Sequence, residues 1–147
     1  MNKEDNCIFC KIANKEIESF KIYEDEMVFV FLTDNPDYNG HMLIIPKKHI
    51  VDTSDLLLED GLLNHIIVVA ENMRKLIGDT IGINGMTYLW NMGNAQKVKH
   101  FHMHIKPRDK TLLEQPEKLP VDEIYTKYFK TFSEEESGNK TKMITKN

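Results

Sequence analysis

The stretch His100-Phe101-His102-Met103-His104-Ile105 decides how this chain is read. Imidazoles alternate with large apolar side chains. A period of two belongs to a β-strand, whose successive side chains leave on opposite faces. One face of the predicted strand holds His100, His102 and His104, and the other packs Phe101, Met103 and Ile105 into a core. Neighbouring histidines on such a face stand roughly 6–7 Å apart and the outer pair roughly 13 Å apart. A zinc–imidazole bond is about 2 Å, so two neighbours can share one ion but all three cannot easily do so. At least one histidine is left for other work. Lys97, Lys99, Lys106, Arg108 and Lys110 flank the run. Neutral imidazoles beside cations suit the task of attacking and holding a phosphate.

Working outward, the chain has 147 residues, enough for one domain with a real core. With 41% hydrophobic and 29% charged residues, the composition indicates neither a disordered nor a membrane-embedded class. A net charge of −4 argues against a general nucleic-acid coat, so any anionic ligand must be met by local cations. The longest apolar run, Ile66 to Ala70, is far too short to cross a bilayer. Met1 to Asn6 is polar and has no signal-peptide apolar region, which gives a cytoplasmic expectation.

Cys7-Ile8-Phe9-Cys10 contains both cysteines of the chain. A redox pair of this spacing wants a strand before it and a helix start at the motif, but only polar residues precede it. Two thiolates at this spacing are standard zinc ligands and need two further donors, for which His49 and one of the strand histidines are the candidates. Phe20-Lys21-Ile22-Tyr23, a turn at Glu24-Asp25-Glu26 and the apolar run Met27 to Leu32 read as a hairpin. Thr33 to Gly40 is dense in turn formers. His41 to Ile45 is a further strand, closed by Pro46 and followed by Lys47, Lys48 and His49; the two lysines read as solvated.

Thr53 or Ser54 caps a predicted helix on which Leu62, Ile66, Val69, Ala70, Met73 and Leu76 recur at helical spacing. This helix is expected to cover one side of the sheet and to end at Gly78, with His65 an ordinary helix residue. Met86 to Asn91 is the next strand. Asn91 to Gln96 is an amide-rich link that either brings N–H groups to a phosphate or is a plain turn. Ile124, Tyr125, Tyr128, Phe129 and Phe132 give a helix over Val121 to Phe132, within an extension spanning 111–134. The polar remainder, 135–147, is expected to be disordered. The domain proper is expected to span 1–110.

Three segments together resemble the histidine triad (HIT) family of nucleotide hydrolases and transferases: Cys7 to Ile12, Asn39 to His49, and Gln96 to His104. The resemblance implies an α+β fold with a five-stranded antiparallel sheet, one long helix and a C-terminal helix, paired as a homodimer. It implies reaction at the α-phosphorus of a nucleoside polyphosphate or phosphoramidate through a nucleotidyl intermediate on His102. It places His104 on the phosphate, His100 behind the nucleophile, Gln96 at the leaving-group oxygen, Asn91 as a phosphate contact and His41 as the supporting histidine. It implies a structural zinc on Cys7, Cys10, His49 and His100. Thr33 stands where members often carry a ribose-binding Asp or Asn, and Asp34 follows it. Lys106 stands where the triad normally ends in a second hydrophobic residue.

Two other readings follow from the same residues. One is a zinc-dependent phosphohydrolase with the catalytic ion on His100 and His102. The other is a non-catalytic nucleotide-binding regulatory module. The nucleophile reading requires the imidazole of His102 to face an open pocket and to be free of metal.

Overall fold

The computed structural model describes residues 6–138. Met1 to Asp5 and the end of the expected tail, 139–147, lie outside the described residues. The strands are β1 (Phe20–Glu24), β2 (Val28–Leu32), β3 (Met42–Pro46), β4 (Met86–Leu89) and β5 (Met103–Pro107), and the helices are α1 (Ile8–Ala13), α2 (Thr53–Leu57), α3 (Leu62–Ile81) and α4 (Val121–Gly138). The strands form one antiparallel sheet in the order β1-β2-β3-β5-β4, the α+β architecture expected from the sequence. No helix among the described residues is long and apolar enough to cross a membrane.

Strands β2 and β3 are apolar throughout because both of their faces are covered. Val28, Val30, Leu32, Met42 and Ile44 join the main core beneath α3, to which Ile66, Val69, Met73 and Leu76 contribute. Phe29, Phe31, Leu43 and Ile45 face the other way and meet Phe9, Ile12 and Ala13 of α1. Phe101, Met103 and Ile105 belong to the α3 side, fully buried. The alternation therefore sends the histidines to the α1 side.

Several boundaries differ from the sequence expectation; among the strands, the one expected over Met86 to Asn91 ends at Leu89. The helix expected from Thr53 is broken into α2 and α3, because Gly61 takes a left-handed φ of 72° at the start of α3. Asp52, not Thr53 or Ser54, caps α2 by accepting from the Asp55 N–H. Gly78 lies inside α3, and Gly82 (φ 75°) ends it, its N–H donating to the Gly78 carbonyl. Helix α4 runs to Gly138, past the expected start of a disordered tail at residue 135. The short helix α1 was not expected at all. It starts at the cysteine motif, where Cys7 Sγ accepts from the Cys10 N–H.

His65 is more than an ordinary helix residue. Its Nε2 lies 2.7 Å from Oδ2 of Asp25 in the β1–β2 turn, with both side chains buried. Tyr23 donates its hydroxyl to the same oxygen at 2.8 Å, and the N–H groups of Met27 and Val28 donate to Oδ1. Burial pushes the Asp25 carboxyl up, but these donors outweigh it and hold it below the ordinary carboxylate value. One aspartate thus closes the hairpin turn and ties it to α3.

The packing gives a direct contrast between two leucines. Leu76 is 1% exposed and Leu113 fully exposed. Leu76→Ala is expected to lower unfolding free energy by about 2–5 kcal/mol, and Leu113→Ala by no more than about 0.5 kcal/mol. Urea unfolding of the two variants checks this.

Candidate active site and metal-ligand cluster

The strand ladder begins at Met103, so only His104 of the three histidines is in β5. His100 and His102 lie in the segment leading into it, held to the fold where the Phe101 N–H donates to the Ile50 carbonyl at 2.6 Å. Their side chains still alternate with the core residues. The rings of His102 and His104 sit with centroids 5.2 Å apart.

His100 is fully buried and uses both ring nitrogens. Its Nε2 is 2.8 Å from the Pro46 carbonyl oxygen at the end of β3, which makes Nε2 the protonated nitrogen. Its Nδ1 then presents a lone pair, 3.3 Å from Cys7 Sγ and 3.5 Å from Cys10 Sγ. The Nδ1 of His49 is 3.2 Å from Cys10 Sγ. The donor atoms of Cys7, Cys10, His49 and His100 all lie within 4.8 Å of one another. Sulfur and nitrogen donors around a tetrahedral ion, with bonds of about 2.3 and 2.0 Å, stand roughly 3.5 Å apart. The cluster fits such an ion, and the hydrogen bond from His100 to Pro46 is the outer support a metal-bound imidazole needs. His102 is not in this group, which counts against a catalytic ion shared by His100 and His102.

The protonation pattern of the remaining imidazoles follows from their partners. The Asp37 backbone N–H donates to His41 Nδ1 at 3.0 Å, and a backbone amide can only donate. His41 therefore carries its proton on Nε2 and donates it to His104 Nδ1 at 2.9 Å. His104 in turn carries its proton on Nε2. His102 Nδ1 lies 2.8 Å from the His100 carbonyl oxygen, so it is protonated there, and Nε2 keeps the lone pair. The site thus offers a nucleophilic nitrogen on His102 beside an N–H donor on His104.

Burial is the largest influence on all of these rings and disfavours their charged forms. It lowers His41 to about 4, helped by His104 and Lys106 and opposed by Asp37. It lowers His104 to about 4, helped by His102 and Lys106 and again opposed by Asp37. Burial also lowers His102, against the bond to the His100 carbonyl. Lys106 pairs with Asp37 at 2.8 Å, so the cation that replaces a hydrophobic residue after the triad is held by the loop before β3.

His102 meets one half of the requirement set by the sequence and not the other. It stands apart from the metal cluster, but it is only 7% exposed rather than facing an open pocket. The ring of Phe9 packs edge-on against it, with centroids 4.9 Å apart. Phe9 escaped the sequence reading although it lies inside the cysteine motif; its ring meets both His100 and His102. Asp37 escaped as well, because its bond to His41 is made by a backbone N–H, which carries no sequence signal.

The other candidate residues make no hydrogen bond to the triad among the described residues. Gln96 is buried, and its amide donates to the Val51 carbonyl at 2.6 Å. It follows a 3-10 turn at Gly93–Ala95. Asn91 is exposed just beyond β4. Thr33 is half-buried, its hydroxyl accepting from the Asn35 N–H and its own N–H donating to the His41 carbonyl, while Asp34 is exposed. Among the described residues, no hydrogen bond joins Gln96, Asn91, Thr33 or Asp34 to His100, His102 or His104.

A five-stranded antiparallel sheet with a histidine row on one face and a Cys/His cluster beside it defines the class of protein. Residues 14–111 match the family described as the HIT domain, and the chain belongs to that family. It is 43% identical over 110 residues to a HIT-like protein of Borreliella burgdorferi, a match covering 71% of this chain and 77% of that one. It is 37% identical over 105 residues to adenosine 5'-monophosphoramidase HNT1 of Saccharomyces cerevisiae, covering 69% of this chain and 62% of that one. Among solved structures, a zinc-bound histidine triad family protein from Mycobacterium smegmatis superposes with a TM-score of 0.75 at 26% identity, covering 92% of this chain and 99% of that one.

The depressed histidines set a pH dependence with a definite sign. A histidine near 6.5 when unfolded and about 4 when folded binds its proton more readily in the unfolded chain between those values. His41 and His104 therefore contribute stability that is full above pH 6.5 and is lost as pH falls through about 4. Thermal melts over that range are expected to show falling stability. The His41→Gln, His104→Gln double variant is expected to show a shallower fall.

Proposed function

We propose that this protein is a nucleotidyl hydrolase or transferase acting at the α-phosphate of nucleoside polyphosphates or phosphoramidates, with His102 as nucleophile. The single observation that carries the reading is the proton pattern of the site. The His102 Nδ1–H is occupied by the His100 carbonyl, so Nε2 has a lone pair, and His104 has a donor proton next to it. The Nε2 of His102 attacks phosphorus, forming a P–N bond as the bond from phosphorus to the leaving oxygen or nitrogen breaks and the leaving group takes up a proton. His104 donates to a phosphate oxygen as charge builds there. Water then attacks phosphorus, the P–N bond breaks, and a nucleoside monophosphate departs. Adenosine phosphoramidate and dinucleoside polyphosphates are the proposed substrates. The first is favoured by the likeness to the yeast enzyme named as a monophosphoramidase.

In this reading Gln96 lies toward the leaving group, Asn91 contacts phosphate, and Thr33, Asp34 and His41 line the nucleoside side. The ion on Cys7, Cys10, His49 and His100 is zinc, supported by the donor set and by the zinc-bound structural relative. Its role is structural, holding α1 and His100 in place. The protein works in the cytoplasm on small nucleotides rather than nucleic acid or membranes, as a homodimer of the kind the family resemblance implies. One observation favours the binding-only alternative, namely the 7% exposure of His102. A substrate panel distinguishes the two.

His102→Ala is expected to reduce adenosine phosphoramidate turnover by on the order of 10³-fold or more while nucleotide binding persists. Mass spectrometry of quenched wild-type protein is expected to show a nucleotidyl adduct on His102. Turnover unchanged in the variant would remove the proposal. Elemental analysis is expected to find one zinc per chain, lost in Cys7→Ser. Stripping the metal is expected to lower the melting temperature, with turnover retained in protein that stays folded. Abolition of turnover in such folded, metal-free protein would point to a catalytic ion instead.

A further inference from the structure

Helix α4 and the segment before it lie beyond the matched HIT domain, which ends at residue 111. Before entering α4 this extension passes over the loop between β2 and β3. There the Asn39 side chain uses both halves of its amide. Its Nδ2 donates to the Glu117 carbonyl at 2.9 Å, and its Oδ1 accepts from the Leu119 N–H at 2.8 Å. One asparagine side chain thus pairs with the extension's backbone as a neighbouring strand would. Lys118 adds a bond to the Pro36 carbonyl at 3.3 Å.

The clamped loop is the one that sets the proton on His41. Asp37, between Pro36 and Asn39, supplies the N–H that His41 Nδ1 accepts, and the His41 N–H returns to the Tyr38 carbonyl. The other side of the loop is fixed as well. Gly40 adopts a φ of 81°, and a Cβ there would stand 3.0 Å from the Tyr128 hydroxyl of α4. Leu119, Val121 and Ile124 close against Thr33, Asn39 and His41 around a narrow cleft. Without the Asn39 attachment, the side-chain restraints on the run Asp34 to Asn39, among the described residues, are Thr33 on Asn35, His41 on Asp37, Lys118 on Pro36, Lys106 on Asp37 and Arg108 over Tyr38, and both lysine contacts end in flexible ammonium groups.

We propose that Asn39 is a positioning residue and that Glu117 to Leu119 form a strap which completes the site from outside the HIT domain. By holding the loop, the pair keeps the Asp37 N–H on His41 and so keeps the His104 proton aimed outward as a donor. The consequence for catalysis rests on the nucleotidyl-transfer reading above; the consequence for the imidazoles does not.

The experiment is nitrogen-15 NMR of the histidine rings and amide hydrogen exchange at pH 7 on full-length wild type, Asn39→Ala and Asn39→Asp. Turnover of adenosine phosphoramidate is measured on the same samples, with Leu113→Ala as a surface control. In wild type His41 is expected to show an unprotonated Nδ1 and a protonated Nε2. In Asn39→Ala the two nitrogens are expected to move toward a mixed pattern, and the Asp37 amide to exchange at least tenfold faster. Turnover is expected to drop about tenfold in kcat with KM within about twofold. Asn39→Asp keeps the acceptor for Leu119 and is expected to fall between. An unchanged His41 pattern and unchanged Asp37 exchange in folded Asn39→Ala would overturn the positioning role whatever the activity. A shifted pattern in a protein whose wild type has no turnover would support the strap and remove the catalytic reading.

Discussion

The hydrogen bond from His100 Nε2–H to the Pro46 carbonyl is the contact on which the site depends. It joins the end of β3 to the segment entering β5 and decides which ring nitrogen of His100 faces the cysteines. That nitrogen completes a group of four donor atoms with Cys7, Cys10 and His49, two of them at the start of α1. The carbonyl of the same residue accepts the His102 Nδ1 proton and leaves the opposite nitrogen with its lone pair. One buried imidazole residue thus touches the Cys/His cluster, the end of β3 and the ring of His102. The coupling is short because side chain and main chain of a single residue carry it.

The sheet makes this arrangement possible by being covered on both faces. Strands β2 and β3 divide their side chains between the α3 core and the α1 cluster, and β5 continues the division with Phe101, Met103 and Ile105 on the first side. Burial of apolar surface on the α3 side supplies stability independent of the chemistry on the other. The α1 side can then carry several imidazoles with depressed basicity, a destabilising arrangement at low pH that a protein relying on that face alone could ill sustain. With a net charge of −4 overall, the chain still carries a run of cations flanking the triad in sequence.

Much of the site comes from groups that do no chemistry themselves. The Asp37 amide, the His100 carbonyl and the Asn39 side chain fix tautomers or hold loops, and Phe9 walls one flank of His102. Such contributions depend on where the backbone travels and leave little trace in residue identity. The extension after residue 111 adds to them through main-chain groups at 117 and 119.

The sequence alone determined the strand parity that puts Phe101, Met103 and Ile105 on one face and the histidines on the other, because a period of two admits no other assignment. Through the family resemblance it also gave the antiparallel α+β class and the four donors, Cys7, Cys10, His49 and His100, that the fold brings together. Tertiary structure decided the rest. The ladder starts at Met103 because β3 pairs from there and β4 from His104, and Gly61 divides one expected helix because a left-handed turn was needed to enter α3. Gln96 turned to the Val51 carbonyl, and His65 found Asp25, because partners distant in sequence lay within hydrogen-bond reach. Proton placement on His41 and His102 was likewise invisible in the sequence, for it is set by a backbone N–H and a backbone carbonyl, and His104 then takes its pattern from His41.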